Sequence, residues 1–240
     1  MGDRDAASAQ ASVSEMSAAT RTIAMIVISA LLVWGFFMVA GRWDWPRGWA
    51  YICILVAGNS INEFALWRKN PELFRMRGRT GAGTKTWDKI CLAFLGLSVL
   101  LILIVGALDA GRYQWSVMPS WLWAFGVTAY TAGQALLIWA MLANPFFEKT
   151  VRIQKDRGHR VVDSGPYVYV RHPGYVGTIM GFVLASPLML GSWWAFVPAA
   201  VATVSLIVRT ALEDRMLIEE LAGYRAYAGR VRYRMIPHLW

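Results

Sequence analysis

The sequence predicts an all-α, polytopic membrane helix bundle with six transmembrane helices. Hydrophobic residues make up 57% of the chain and charged residues only 16%, whereas soluble domains carry roughly 25% charged residues. Six apolar segments each approach the roughly 17–25 residues that a helix needs to cross a bilayer. A chain with so little polar surface cannot cover a soluble globule, so the lipid bilayer is its expected surrounding.

The first part of the chain contains a tail and four spans. Residues 1–20 are rich in Ala and Ser, show no apolar periodicity and are predicted to be disordered. The four long apolar segments that follow are predicted to form a substrate-side bundle over residues 21–143; they lie at Thr22–Gly41, Gly48–Trp67, Ile90–Asp109 and Ser120–Ala143.

The second part, residues 144–240, is predicted to be a separate functional region. Its two spans, Gly174–Leu190 and Ser192–Val208, are shorter and are joined by one residue, which predicts a tight helical hairpin. The last span is expected to continue as a helix beyond the membrane, because polar residues at helical spacing follow it.

The distribution of basic residues predicts the orientation. Lys and Arg are concentrated at residues 68–89, 149–171 and 209–234, whereas the alternate loops hold only Arg42, Arg47 and Arg112. The positive-inside rule therefore places the three basic segments and both termini in the cytosol. Most of the thirteen Trp residues fall near the opposite interface. The net charge of +9 is spread between apolar spans rather than over one face, so nucleic acid is not an expected partner.

The polar residues favour an enzyme over a transporter. The span interiors hold almost no ionisable side chains, whereas transporters usually carry them near the membrane midplane. The two Cys residues lie in apolar segments and the three His residues have no ligand at metal-binding spacing, so no metal site is expected. Polar residues are concentrated beside the fourth and sixth spans, where an enzyme can meet both a soluble cofactor and a membrane-held substrate.

One polar segment precedes the fifth span and reads Gly165-Pro-Tyr-Val-Tyr-Val-Arg-His-Pro-Gly-Tyr-Val-Gly177. Pro173 suits the first position of a helix. The helix start at His172–Gly174 is expected to present free backbone N–H groups, which attract anions. Gly174, Gly177 and Gly181 leave one helix stripe without side chains. That stripe permits the close approach of a ligand, or simply of a neighbouring helix, as in many membrane bundles.

The other polar segment extends the sixth span. Arg209 and Glu213 are four residues apart and therefore share a helix face, which can offer a cation to one ligand and an anion to another. The alternative is an Arg that reaches the membrane surface and pairs with a Glu.

Together the two segments resemble the isoprenylcysteine carboxyl methyltransferase family over roughly residues 144–240. Phospholipid N-methyltransferases share the Arg-His-Pro core of the pattern. The resemblance implies a bundle of membrane helices that binds S-adenosylmethionine on its cytosolic side and releases S-adenosylhomocysteine. It implies that Arg209 contacts the substrate and acts in catalysis, and that the cofactor is bound by Gln154, His159, Arg160, Val161, Val162, Tyr167, His172, Pro173, Gly174, Tyr175 and Glu213.

The expected reaction is O-methylation of a prenylated or other lipophilic carboxylate. A carboxylate has a pKa of about 3.5 and needs no general base at neutral pH, and the planar guanidinium of Arg209 suits it. Methylation of a lipid amine is the alternative, in which Glu213 and Asp214 serve to remove a proton. A membrane binding protein without activity is the second alternative.

Overall fold

The structure, a computed structural model, describes residues 18–76 and 83–240. The predicted tail lies almost entirely outside the described residues, so its disorder stays a prediction. The described part of the chain contains helices and turns but no strands, which confirms the all-α prediction. Its helices are α1 Ala18–Ala40, α2 Pro46–Lys69, α3 Pro71–Met76, α4 Thr86–Tyr113, α5 Trp121–Ala143, α6 Pro173–Leu190, α7 Phe196–Glu220 and α8 Tyr224–Arg230.

Each of the six predicted spans coincides with one helix. Five helices, α2, α4, α5, α6 and α7, are long and apolar enough to cross a membrane, and α1 contributes the apolar segment Val27–Ala40. The last predicted span differs most from its helix. Helix α7 begins at Phe196 rather than Ser192 and continues to Glu220, twelve residues past the predicted end at Val208. Its final turns therefore carry polar side chains beyond the apolar part.

Polar contacts at one end of the bundle, here called the far end, hold the short connections together. Arg47 at the start of α2 donates from Nε to the Met189 carbonyl and from Nη2 to the Leu188 carbonyl, both at 2.9 Å. Ser192, before α7, donates to Asp109 at 2.5 Å. The start of α2 therefore lies beside the end of α6, and the start of α7 lies beside the end of α4. This arrangement is expected for helices whose directions alternate across the membrane.

The close packing of α5 against α6 depends on glycine. A Cβ atom added to Gly133 would lie 2.4 Å from the backbone nitrogen of Gly181, and one added to Gly177 would lie 2.7 Å from the Gly133 carbonyl oxygen. The two helices thus meet backbone to backbone, and Gly174 accommodates the Phe147 ring. Of the two interpretations of the glycine stripe, Gly177 and Gly181 fit helix packing.

Two helices contain π-helical segments that the sequence did not predict. They are Ala107–Tyr113 at the end of α4 and Ile179–Leu184 in the middle of α6. A π-helical turn changes which residues face a neighbour, and such turns are frequent at functional sites. In α6 the segment places Gly181 against α5 while Phe182 lines the cavity described below.

Candidate active site

A cavity of about 400 Å³ lies at the opposite end of the bundle, here called the site end. Helices α2, α4, α5, α6 and α7 surround it, and the segment between α5 and α6 closes it. Its volume falls within the roughly 300–1,000 Å³ of sites that bind small molecules. Eight of the predicted site residues line it: Gln154, His159, Tyr167, His172, Gly174, Tyr175, Arg209 and Glu213.

One face of α7 forms a wall of this cavity, and this wall extends from the apolar part of the helix into its polar part. Leu206, Arg209, Glu213 and Leu217 all line the cavity, and intervals of three or four residues keep them on one helix face. Leu206 packs in an apolar cluster with Ile102 and Val183. Arg209 therefore lies between an apolar surface on one side and the carboxylate of Glu213 on the other.

Arg209 is buried and has a partner that the sequence did not suggest. Its Nε donates to Oδ1 of Asp88 at 2.7 Å, and its Nη2 donates to the Lys149 carbonyl at 2.8 Å. Asp88, in the first turn of α4, is fully buried and also accepts the Val151 N–H at 2.8 Å. The sequence did contain one indication of this pair: Asp88 is an acidic residue at the start of an otherwise apolar span. A charge at that position requires a partner.

Glu213 binds a tyrosine rather than Arg209. The Tyr175 hydroxyl donates to Oε2 of Glu213, and the Tyr175 ring lies 5.3 Å from the Arg209 guanidinium carbon. No ion pair joins Arg209 and Glu213 in the described residues. The predicted shared face is present, but its two charges are held by different partners, and Tyr175 lies between them.

Asp214, which the sequence offered as a proton acceptor, is a buried hub. It accepts hydrogen bonds from Nε and Nη2 of Arg171 at 2.7 Å, from Nε of Arg234 at 2.9 Å and from the Tyr224 hydroxyl at 3.0 Å. Nε2 of His172 lies 3.1 Å from the same carboxylate. Asp214 is fully buried and is not among the residues that line the cavity. It holds α6, α7 and the segment after α8 together.

The start of α6 does not present all the free backbone N–H groups that the sequence predicted. Pro173 has no N–H, and the His172 N–H donates to the Arg234 carbonyl at 2.8 Å. His172 instead faces the cavity with its ring, which stacks on Tyr175 at a centroid distance of 5.8 Å. The expectation of an anion site at this helix start was wrong for His172, because the segment after α8 takes up its backbone hydrogen bond.

The segment between α5 and α6 places Gln154 and His159 in the cavity wall. Gln154 donates to the Phe146 carbonyl at 2.7 Å and accepts from Nη1 of Arg157 at 2.7 Å. The Gln154 N–H points to Nδ1 of His159 at 3.3 Å, which leaves the proton of the neutral ring on Nε2. Burial, with a smaller contribution from the charge of Arg152, lowers the pKa of His159 below its ordinary value of 6.5.

Tyr167 connects this segment to α5 and α8. Its hydroxyl accepts from Nδ2 of Asn144 at 3.2 Å, and its carbonyl accepts from the Tyr227 hydroxyl at 2.8 Å. Burial raises the pKa of Tyr167, so the phenol stays protonated at neutral pH. Its hydroxyl proton is therefore available to a ligand in the cavity.

Four predicted site residues do not line the cavity: Arg160, Val161, Val162 and Pro173. Val161 packs with Tyr224 and Tyr227 of α8, Arg160 is exposed, and Pro173 is buried as the first residue of α6. Their predicted contact with a cofactor stays a prediction.

The structure adds cavity residues that the sequence did not single out. Glu148 is almost fully buried and binds the Arg152 guanidinium through both oxygens at 2.9 Å. Asp156 holds the same guanidinium at 2.7 Å, and hydrogen bonds to Glu148 and Asp156 raise the pKa of Arg152. The spacing of four between these residues is a weak signal, because the segment is not an α-helix. Asn59 and Asn62 of α2 complete the wall.

Comparisons with known proteins agree with the sequence motifs. Residues 124–219 match the isoprenylcysteine carboxyl methyltransferase family. The chain is 31% identical to methanethiol S-methyltransferase 1 of Bradyrhizobium diazoefficiens over 58% of its own length, and spans only half the length of that relative. It is 26% identical to the protein-S-isoprenylcysteine O-methyltransferase of Schizosaccharomyces pombe, over 72% of this chain and 79% of that one. The solved structure of a eukaryotic intramembrane Ras methyltransferase superposes with a TM-score of 0.48 at 16% identity, over 93% of this chain and 88% of the other.

Proposed function

We propose, from the match of residues 124–219 to the isoprenylcysteine carboxyl methyltransferase family, that this membrane protein methylates a lipophilic carboxylate with S-adenosylmethionine. One observation carries the proposal: a single cavity is apolar at Leu206, cationic at Arg209 and anionic at Glu213 along one helix face. A lipophilic acid and a positively charged methyl donor need these three surfaces in this order.

The polar part of the cavity suits the cofactor. When bound, S-adenosylmethionine supplies a methyl group on a positively charged sulfur. The Glu213 carboxylate offers the complementary charge, while Nε2–H of His159 and the Tyr167 hydroxyl are donors for the polar atoms of a nucleoside. Tyr175 fixes the Glu213 carboxylate by its hydrogen bond. The cavity volume and this set of donors and acceptors fit a ligand of nucleotide size.

The acceptor lies towards the apolar part. Arg209 uses Nε and Nη2 for Asp88 and the Lys149 carbonyl, so Nη1 remains to hold a carboxylate oxygen. Leu92 and Leu95 of α4 offer a surface for an apolar chain. A carboxylate with a pKa of about 3.5 attacks without losing a proton. The residues of this chain therefore act by orienting the two reactants and excluding water.

Two other acceptors receive less support. A lipid ammonium has to lose a proton first, but Asp214 is fully engaged by its buried partners and lies outside the cavity lining. Methanethiol, the acceptor named for the Bradyrhizobium relative, has no carboxylate for the Arg209 guanidinium to hold. We favour a long-chain acid.

The orientation of the bundle follows from the same proposal. The site end carries the basic segments of the sequence, so we place it, the cavity and both chain termini at the cytosolic face. The lipid bilayer then supplies the acceptor and the cytosol supplies the cofactor. Residues 144–240 form most of the polar wall, and α2 and α4 contribute to the acceptor side.

Titration calorimetry on the detergent-solubilised protein tests cofactor binding, and a radiolabelled methyl donor tests the reaction. We expect the Glu213→Gln variant to bind S-adenosylmethionine about 10- to 100-fold more weakly, because it keeps a hydrogen-bond acceptor and loses the charge. Glu219→Gln is the matched control, since Glu219 lies on the same helix and pairs with Arg215 at the surface. Absence of binding by the unaltered protein would refute the proposal.

The type of bond formed distinguishes the acceptors. Treatment of the labelled product with base releases methanol from a methyl ester, whereas a methylated amine or thioether keeps its label. A base-stable label would exclude a carboxylate acceptor while leaving the cofactor assignment intact.

A further inference from the structure

Residues 231–240, which follow α8, form a compact turn. The N–H groups of residues 234–236 all donate to the Trp240 carbonyl, at distances between 2.9 and 3.3 Å. The N–H groups of Leu239 and Trp240 donate in turn to the Ile236 carbonyl. The Arg234 guanidinium carbon also lies 5.0 Å from the centre of the Trp240 ring. These contacts give the segment, here called the 231–240 turn, a defined shape.

The position of the bilayer at the site end follows from helix α6. This helix has 18 residues, Pro173–Leu190, and is therefore about 27 Å long, close to the roughly 30 Å of a hydrocarbon core. Trp193 and Trp194 are exposed just beyond its far end, and such residues settle at the membrane interface. Pro173 must then lie at the other boundary of the core, because α6 is only just long enough to cross it.

The 231–240 turn lies at the same level as Pro173. The two backbone N–H groups that directly precede Pro173 donate to the Tyr233 and Arg234 carbonyls, at 3.0 and 2.8 Å. The turn is therefore held beside the boundary of the hydrocarbon core, in the layer that the lipid headgroups occupy.

Apolar side chains are exposed at this level. Ile236 has 50% of its surface exposed and Leu239 has 76%, although Met235 beside them is buried. Val168 and Tyr169, shortly before α6, are also exposed. Apolar surface of this kind is typical of a contact with a membrane or a partner. The level of the turn indicates that the membrane provides the contact.

The same turn carries a cation without a partner. Arg232 is exposed and forms no ion pair among the residues that the structure describes. Its neighbours Arg230 and Arg234 differ, because each of them pairs with a carboxylate. The charge of Arg232 is therefore available to an anion at the headgroup level.

We propose that the 231–240 turn is a docking surface for the anionic lipid headgroups of the leaflet at the site end. Ile236 and Leu239 enter the boundary between headgroups and acyl chains, and Arg232 binds an anionic headgroup. An anionic leaflet is favoured over a neutral one because it attracts basic side chains near its surface. The contact does not depend on the proposed function. It secures the segment whose Arg234 side chain holds Asp214 of α7.

Hydrogen exchange in lipid nanodiscs tests the proposal, because the amides of the turn are hydrogen-bonded within it and exchange when it opens. The full chain is placed in discs of phosphatidylcholine and in discs of an equimolar mixture with phosphatidylglycerol. We expect the peptide that contains Ile236 and Leu239 to exchange about 5-fold more slowly in the anionic discs, the effect of one basic side chain near an anionic surface. Equal exchange in both kinds of disc would overturn the proposal.

Two variants and a matched control assign the effect to the turn. In Arg232→Gln the two kinds of disc should give the same exchange rate to within about 2-fold, whereas Ile236→Ser should exchange faster in both. Arg42→Gln removes a positive charge at the far end, where Arg42 pairs with Asp44, and should keep the full difference. A full difference in Arg232→Gln, an unchanged rate in Ile236→Ser or a lost difference in Arg42→Gln would contradict the assignment.

Salt and free phosphate identify the kind of anion. In roughly 1 M sodium chloride, where charges act over only about 3 Å, the difference between the discs should vanish while the effect of Ile236→Ser remains. A difference that survives in salt would show that charge is not its cause and would refute the role of Arg232. Inorganic phosphate added to the neutral discs should leave exchange unchanged. Slower exchange with phosphate alone would show that Arg232 binds a free anion rather than lipid.

Discussion

The buried pair of Arg209 and Asp88 allows the contribution of Arg209 to stability to be separated from its proposed contribution to the reaction. Replacing Arg209 by Gln removes the guanidinium from Nε–Oδ1 contact at 2.7 Å and leaves the Asp88 carboxylate buried with only the Val151 N–H. Breaking such a pair costs about 3–5 kcal/mol. We expect Arg209→Gln to lower the free energy of unfolding by about that amount.

The double variant Asp88→Asn with Arg209→Gln restores stability without restoring the charge. The Asn oxygen can accept the Val151 N–H, and the two side-chain amides can bond to each other, so no buried charge remains. Replacing both members of a buried ion pair by neutral groups is often close to neutral in stability. We expect the double variant to recover most of the loss, to within about 1 kcal/mol of the unaltered protein.

Unfolding in mixed dodecyl maltoside and dodecyl sulfate micelles measures stability, and labelled methyl transfer at saturating S-adenosylmethionine measures activity. Both variants should lose about 100-fold or more in kcat/KM for a carboxylate acceptor, because in the proposed function Arg209 binds the acceptor with charge-assisted hydrogen bonds. Cofactor affinity in the double variant should stay within a few fold of normal. A stable double variant that methylates the acceptor normally would refute the role of Arg209, and one as unstable as the single variant would refute the reasoning about Asp88.

Three further predictions follow from the site and the bundle. Because folding lowers the pKa of His159 below 6.5, the unfolded chain binds the proton first as the pH falls. The free energy of unfolding should therefore fall as the pH is lowered below about 6.5. In His159→Gln, the free energy of unfolding should depend less on pH in this range, as measured by denaturation at a series of pH values. Asp214→Asn should cost about 3–5 kcal/mol in unfolding free energy by leaving buried arginines unpaired, whereas the exposed Glu219→Gln should stay within about 0.5 kcal/mol. Gly133→Ala should destabilise by about 1–3 kcal/mol, since its Cβ meets backbone, and Gly96→Ala, with open space around it, should not; thermal unfolding in detergent separates them.

The fold could be predicted because its determinants are local in the sequence. The length of each apolar segment and the alternation of basic loops are properties of short windows, and each of the six spans coincides with one helix. The π-helical segments could not be predicted, since they depend on how α4 and α6 pack against their neighbours. The continuation of α7 beyond the membrane was predicted, but its end at Glu220 could not be located, because a polar helix that leaves the membrane has no apolar boundary.

The residues of the candidate site could be predicted where they belong to one sequence motif. Contacts between residues that are far apart in the sequence could not be predicted. His172, Tyr175, Arg209 and Glu213 line one cavity, as their motifs suggested. The partner of Arg209 lies 121 positions away in Asp88, and spacing along a sequence carries no information about such a contact. An ion pair between Arg209 and Glu213 was the alternative interpretation of their spacing, and in the structure the Tyr175 hydroxyl binds Glu213 instead.

The hydrogen bonds between the start of α6 and the segment after α8 have a consequence for assembly. The Arg171 N–H donates to the Tyr233 carbonyl at 3.0 Å and the His172 N–H to the Arg234 carbonyl at 2.8 Å, while the Arg234 side chain reaches Asp214. The ribosome makes these carbonyl groups only after α6 and α7. The nascent protein therefore contains α6 and α7 before the contacts that join their polar ends can form.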